Sequence, residues 1–324
     1  MGKMADIVFG PVPSRRLGRS LGINNIPPPK RCSYSCIYCQ LGRTKILTTE
    51  RRRFYDTEVL KRALSERLTE INEDDIDYIT FVPDGEPTLD ESLDEHIKAI
   101  RELLDKPIAI LTNSTLIPVE SVRRDLMKFD LVSIKLDAVS KKVWNKINRP
   151  HPSLNLNEIL DGMKIFRRDF PGKLISETML IDGVNSERSE IKRIADELSK
   201  IDPDKAYLAI PTRPPAESWV KPVDEEKLVE SYEIFSESLG RDKVELLIGY
   251  EGAGFKTGKD PIRDILSIAA IHPIRLDYIY QILSKSIHNP NKLIARLVNS
   301  DEIRIVKYRG KTFLIRRRHK IDGG

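Results

Sequence analysis

Three cysteines constrain this chain more than any other feature. They are its whole complement, and all lie within eight residues as Cys32-x3-Cys36-x2-Cys39, with Tyr38 just before the third. Thiolates on so short a loop can occupy three corners of one compact iron–sulfur cluster. A four-iron cubane normally takes four cysteines, so a chain with three leaves one iron open to a small chelating ligand. Two alternatives stand beside this reading. A Cys3His zinc site needs His96, His151, His272, His288 or His319, none of which has the local spacing of a zinc finger. The thiols could instead be structural, although an odd number argues against a disulfide framework.

The rest of the chain alternates. Strand-like apolar runs at Ser20–Ile23, Tyr78–Val82, Ile108–Thr112, Leu131–Leu136, Leu174–Leu180 and Tyr207–Ile210 are each followed by a segment that can hold a helix. The helix-like stretches fall near 56–73, 90–104, 118–127, 154–168, 186–200 and 224–239. Six βα units in this order imply a parallel sheet. The expected class is α/β, a curled and partly open (β/α)6 barrel of TIM type, with a flat doubly wound sheet as the alternative.

The pattern changes after Tyr250. Gly252, Gly254, Gly258 and Pro261 mark a junction, which divides the chain into an expected catalytic unit, 1–255, and a smaller unit, 256–324. Short helices are expected at about 261–270, 275–285 and 290–299, the last with Asn289 as N-cap and Pro290 at its first position. Ile303–Tyr308 and Lys311–Arg317 then flank Arg309-Gly310 as a β-hairpin. Three helices followed by a hairpin is the element order of a winged helix–turn–helix module.

The cysteine spacing and its neighbours carry a family resemblance. The Cys-x3-Cys-x2-Cys loop with its aromatic resembles the signature of radical S-adenosylmethionine (radical SAM) enzymes. Gly10 to Ile23 (GPVPSRRLGRSLGI), Phe81 to Asp90 (FVPDGEPTLD) and Glu177 to Asn185 (ETMLIDGVN) are similar to segments of the Fe–S oxidoreductases related to tRNA wyosine-synthesising enzymes. The resemblance covers about residues 8–255. It implies a [4Fe–4S] cluster on Cys32, Cys36 and Cys39, with SAM chelated at the open iron and reductively cleaved to a 5′-deoxyadenosyl radical. Since the chain shows no internal electron source, it also implies a ferredoxin or flavodoxin donor.

Such a barrel puts its site at the C-terminal ends of the strands. Asp84-Gly85-Glu86-Pro87 looks like the family's Gly-Gly-Glu motif, with Asp84 in place of the first glycine, so Gly85 and Glu86 are expected at the SAM ammonium. Thr112-Asn113-Ser114 resembles a ribose-contacting loop, and Tyr38, Glu177 and Asn185 are further SAM candidates. In the fourth strand Val132, Ile134, Leu136 and Ala138 alternate with Ser133, Lys135 and Asp137. The apolar set should face the outer helices and the polar set the interior, where a lysine and a carboxylate must be paired or functional; Lys135 and Asp137 are the catalytic candidates. Thr212 offers backbone to adenine and Arg213 a fork for a carboxylate or phosphate. Arg15, Arg16, Arg19, Arg149 and His151 are weaker substrate candidates, with solvated charge as their default.

Charge bears on partners. Residues 301–324 hold eight Lys/Arg against three Asp/Glu, and the net charge of the whole chain is +5. The excess thus sits in the tail, which suggests a local contact with an anion such as the phosphates of tRNA or another nucleic acid. The first ten residues have no signal-peptide core and no stretch reaches a membrane span, so the expectation is a soluble cytoplasmic protein without a membrane partner. Three functions remain open: radical chemistry on a tRNA base or ribose, the same chemistry on a peptide or protein, and a non-enzymatic Fe–S regulator that binds DNA. Only the first two account for Asp84-Gly85-Glu86 and the polar interior of the fourth strand.

Overall fold

The computed structural model describes residues 7–249, 260–284, 289–299 and 302–317. In chain order its elements begin with β1 (Val8–Ser14), β2 (Gly18–Ile23), the two-residue strands β3 (Arg31–Cys32) and β4 (Ile46–Leu47), and helix α1 (Thr57–Leu68). Then come β5 (Tyr78–Phe81), α2 (Leu93–Leu103), β6 (Ile108–Leu111), α3 (Glu120–Leu126), β7 (Leu131–Lys135), α4 (Lys141–Ile147) and α5 (Leu156–Asp169). The barrel part closes with β8 (Lys173–Met179), α6 (Arg188–Ile201), β9 (Lys205–Ala209), α7 (Glu225–Leu239) and β10 (Val244–Leu247).

Eight of these strands form one sheet in the order β1-β2-β5-β6-β7-β8-β9-β10. From β2 onward every neighbour is parallel. The order never reverses, so each βα unit adds to the same growing edge. A doubly wound sheet needs a reversal at its switch point, and this one has none. The architecture is a curled half-barrel.

Alternation along the strands sorts the core. Val132, Ile134, Leu136 and Ala138 join the large cluster beneath the helices, whereas Leu131 belongs to an inner layer with Ala109, Ile175, Tyr207, Ala209 and Leu247. Leu17, in the turn between β1 and β2, is 3% exposed and completes that inner layer. Because β2 runs parallel to its neighbours, this turn lies at the N-terminal ends of the strands and forms the floor of the half-barrel.

Of the elements the sequence does not announce, three have a clear physical reason. β1 contains Pro11 and Pro13, which cannot donate to a ladder, but it is an edge strand where proline is tolerated. β10, at the other edge, has only four residues. α4 has no side-chain cap of its own; instead the Glu190 carboxylate on α6 accepts from the Val139 and Ser140 N–H groups, both at 2.8 Å, and from the Ser140 hydroxyl.

The glycines of the expected junction, Gly252, Gly254 and Gly258, lie outside the described residues. Beyond them come α8 (Pro261–Ile271), β11 (Ile274–Arg275), α9 (Leu276–Ser284), α10 (Pro290–Val298), β12 (Ile303–Tyr308) and β13 (Lys311–Arg316). The last two strands and β11 make a sheet of order β11-β13-β12, and Asn289 caps α10 by accepting from the Lys292 N–H. These elements share a core with the barrel: Phe9 and Val12 of β1 cluster with Ile265, Ile268 and Ala269. Beside that core the buried guanidinium of Arg67 bonds Asp264 at 2.7 Å and the Gly10 carbonyl. Among the described residues no helix is long and apolar enough to cross a membrane.

Candidate active site

The cysteine loop spans the C-terminal ends of the strands and is tied down on several sides. Gly85 fixes one of these contacts. A Cβ there would lie 1.6 Å from the Arg31 carbonyl oxygen, so only glycine lets the 84–86 turn bond β3 through Arg31 N–H to Asp84 O (3.2 Å) and Glu86 N–H to Arg31 O (3.0 Å). On another side Ile37 N–H bonds Ile147 O at 3.0 Å, and Glu217, itself gripped by Arg43 and Arg149, donates its N–H to Ile37 O at 3.0 Å.

Each cysteine sulfur receives an N–H donor from a different part of the chain. Asn113 Nδ2 donates to Cys32 Sγ at 3.3 Å, Asn148 Nδ2 to Cys36 Sγ at 3.4 Å, and Lys30 Nζ to Cys39 Sγ at 3.1 Å. Burial pushes the free Cys32 thiol up to about 12, against the pull of Lys30. Burial and the nearby Asp137 push Cys36 up to about 11. A coordinated metal removes such protons outright. Burial disfavours charge on Lys30, but the facing sulfurs outweigh it and raise its pKa.

Donors on all three sulfurs, one of them cationic, suit thiolates that ligate a cluster, since hydrogen bonds to sulfur are the protein's lever on such a centre. The residues therefore fit a [4Fe–4S] cluster. They offer little to zinc: His96 bonds Thr57 and lies 3.3 Å from Asp90 in the interior, His151 bonds Ser153, and His272 bonds Arg213. His288 and His319 lie outside the described residues. Among the described residues no three His, Cys, Asp or Glu side chains gather closely enough to hold a single ion.

Glu86 is 1% exposed and holds two loops together. Its Oε1 accepts from Thr88 N (3.1 Å), Thr88 Oγ1 (2.6 Å) and Thr112 Oγ1 (2.5 Å), and its Oε2 from Asn113 N (2.7 Å). Burial outweighs these bonds and raises its pKa. Asp84 is buried against Asn24, its N–H donating to Asn24 Oδ1 at 2.9 Å.

A cavity of about 310 Å³ lies inside the half-barrel, below the loop. Tyr38, Cys39, Lys135, Glu177, Thr212 and Arg213 line it, as do Arg15 and Arg16 from the floor turn. A chain of charges crosses its wall. Arg16 pairs with Glu177, whose Oε1 accepts from Lys135 Nζ at 2.7 Å. Lys135 lies 3.6 Å from Asp137 and 5.0 Å over the Tyr38 ring. Tyr38 donates its hydroxyl to Asp137, which also accepts from Asn148 Nδ2 at 2.8 Å. Burial opposes ionisation of Glu177, yet Arg16 and Lys135 overcome it and hold the carboxyl at about 2. Burial likewise opposes charge on Lys135, and Asp137 with Glu177 raises its pKa regardless.

The other candidates take varied positions. Asn185 is fully buried behind the wall, its amide bonded to backbone at Asp137 O, Met179 O and Ile181 N, each 2.8 Å. Glu86, Gly85 and Asn113 also stand back from the cavity lining, and Asn113 reaches a cysteine sulfur. Asp137 sits behind Lys135, 2% exposed. Arg16, given a solvated default, is inside the barrel. Arg19 pairs with Asp75 and Asp77 at the N-terminal ends of β2 and β5. The sequence reading missed Lys30 and Asn148. The run Pro27-Pro28-Pro29 before Lys30 carries no periodicity to mark its side chain as inward, and Asn148 follows the unforeseen α4.

A family model described as the radical SAM superfamily matches residues 26–198, just over half of the chain. A UPF0026 protein of Methanocaldococcus jannaschii is 45% identical over 310 residues, covering 96% of this chain and 96% of its own. A probable dual-specificity RNA methyltransferase RlmN of Thermotoga sp. is 27% identical, covering 61% of this chain and 57% of its own. A solved structure described as native anSMEcpe with bound AdoMet and Cp18Cys peptide is similar in fold, with a TM-score of 0.52 and 17% identity over 70% of this chain and 62% of that one. The chain belongs to the radical SAM superfamily, whose cofactors are a [4Fe–4S] cluster and SAM.

Proposed function

We propose that this protein holds its cluster on Cys32, Cys36 and Cys39, cleaves SAM there and uses the resulting radical to modify a nucleic acid, tRNA foremost. The observation that carries the reading is the set of three N–H donors, from Lys30, Asn113 and Asn148, on the three sulfurs, of which Cys39 lines the cavity. When bound, the cluster and SAM supply one electron and the scission of a sulfonium carbon–sulfur bond that gives the 5′-deoxyadenosyl radical. The protein's part is positioning. Glu86 locks the 84–88 turn, whose backbone would take the SAM ammonium, to the 112–113 loop, which would face the ribose. Tyr38 and the backbone at Thr212 would flank the adenine. Lys135, kept charged by Glu177 and Asp137, presents an ammonium to the cavity that can hold an anionic oxygen or deliver a proton. A cavity of this volume admits a cofactor and at most a small group beside it, so a macromolecule would enter by one extruded base.

Three observations support nucleic acid. The RNA methyltransferase RlmN is among the relatives. The elements α8-β11-α9-α10-β12-β13 follow the order of a winged helix, on which basis we assign 1–255 to catalysis and 256–324 to a winged-helix module with a basic tail. Lys292 and Arg296 on α10, and Arg304, Lys307, Arg309 and Lys311 on the hairpin, are all exposed. Cytoplasmic location and a ferredoxin or flavodoxin donor complete the proposal. The test is comparative mass spectrometry of tRNA nucleosides and tryptic peptides from a deletion strain and its parent. A nucleoside lost only in the deletion strain supports the reading; a lost peptide modification with unchanged nucleosides replaces tRNA with protein as substrate.

A further inference from the structure

The segment after the third cysteine carries a face that the proposed chemistry leaves unassigned. Residues 41–55 contain Arg43, Lys45, Arg51, Arg52 and Arg53 against a single acid, Glu50, so the tail is not the chain's one basic region. Three of these cations are engaged: Arg43 with Glu217, Arg51 with Asp125 and Arg53 with Glu95. Lys45 and Arg52 are exposed and make no ion pair among the described residues. Arg52 and the half-buried Arg31 share the Phe54 ring, at 4.9 and 5.8 Å. Beside these cations β4 presents two large aliphatic side chains, Ile46 and Leu47, each 37% exposed.

This face is wired to the cysteines. In the β3–β4 pair Ile46 stands opposite Arg31 and Leu47 opposite Cys32. Thr48 N–H donates to the Cys32 carbonyl at 3.0 Å, and the Lys45 and Ile46 N–H groups donate to the Lys30 carbonyl at 3.2 and 3.1 Å. Lys30 in turn touches Cys39 Sγ. The Cys32 backbone is therefore one hydrogen bond from the surface strand, and Cys39 is reached from it through Lys30.

We infer that Lys45, Ile46, Leu47 and Arg52, with Arg31 at the edge, form the docking surface for an acidic one-electron carrier protein that reduces the cluster. This rests on the cluster reading above. One electron leaves the reduced carrier, which is oxidised by one, and the cluster is reduced by one; no atom or proton is transferred. Two features select a protein over RNA. The exposed centre is aliphatic, and the neighbouring aromatic, Phe54, is already shared by two guanidiniums instead of being open to a base. The unpaired cations are also few, which suits a small, transient, salt-sensitive redox encounter better than a phosphate track.

The test compares the reconstituted holoenzyme with its Lys45→Glu/Arg52→Glu double variant. Oxidised acidic ferredoxin is titrated calorimetrically, and its reduced form is mixed in stopped flow while cluster bleaching is followed. The variant's Kd should rise about ten-fold or more at low ionic strength, its reduction rate should fall by a similar factor, and both differences should shrink near ~0.5 M salt. Reduction by dithionite, and 5′-deoxyadenosine formation driven by it, should match wild type. Unchanged ferredoxin affinity and reduction rate overturn the inference. Weakened tRNA binding with unchanged ferredoxin kinetics also overturns it and gives the face to RNA. If the wild-type protein forms no 5′-deoxyadenosine even with dithionite, the cluster reading itself fails and takes this inference with it.

Discussion

Removing the Glu177 carboxylate has a consequence that can be worked out for the cluster-free protein. Glu177 joins Arg16 from the barrel floor to Lys135 on the wall, and these cations hold its carboxyl at about 2 in place of 4.5. That difference corresponds to ~3 kcal/mol of preference for the charged form in the folded state. Glu177→Gln should therefore lose about 3 kcal/mol of unfolding free energy at pH 7, in line with the cost of breaking a buried pair and large against a typical total of about 5–15 kcal/mol. The sign follows from linkage. The folded value lies below the unfolded one, so the contribution is fully present above pH ~4.5 and is lost as pH falls toward ~2. Urea denaturation of wild type and variant between pH 7 and pH 2.5 should show the gap narrowing through that window. A loss under ~1 kcal/mol at pH 7, or a gap constant across the range, refutes the assignment of this ion chain.

Three further outcomes follow from the same geometry. Gly85→Ala should force the 84–86 turn off β3, leaving two backbone hydrogen bonds unmade at a cost of about 1–3 kcal/mol each; iron retained per chain after reconstitution should fall while the circular dichroism stays native. Lys30→Met removes the cationic donor on Cys39 and should lower the cluster's midpoint potential, since a positive neighbour favours the reduced, more negative cluster; a potential unchanged in spectroelectrochemical titration would mean Lys30 acts by packing alone. Replacing Arg316, Arg317 and Arg318 together by alanine should weaken tRNA binding and reduce the slope of log K against log salt by up to about three; unaltered affinity and slope would favour protein docking for the tail.

Much of the barrel is legible in the sequence because its signals are local. The alternation of Val132, Ile134 and Leu136 with Ser133 and Lys135 is a period-two pattern that sets inner and outer faces directly, and the structure puts Lys135 in the cavity accordingly. Chain-order strands then leave little topological choice. What stays hidden depends on distant partners. α4 is capped by Glu190 from another helix, and nothing near Asn148 or Lys30 in the chain says that their side chains meet sulfur. Arg16 looks like a solvated turn residue until the floor turn is folded under the barrel. Motif resemblance finds Gly85 and Glu86 but blurs their roles: both are fixed by steric and hydrogen-bond demands on two loops, which only the close approach of Arg31 reveals. The last elements are readable one by one, yet their shared core with Phe9 and Val12 is not. A cut at 256 would therefore uncover apolar surface on β1, and charge replacement is the cleaner probe of that region.

The metal centre offers the most direct measurement. Full-length protein reconstituted anaerobically should hold about four irons per chain, show an EPR signal on reduction that changes when SAM is added, and release 5′-deoxyadenosine. Cys36→Ala should lose iron and SAM cleavage together. Zinc as the native metal with no iron–sulfur signal, or undiminished 5′-deoxyadenosine from Cys36→Ala, would contradict it.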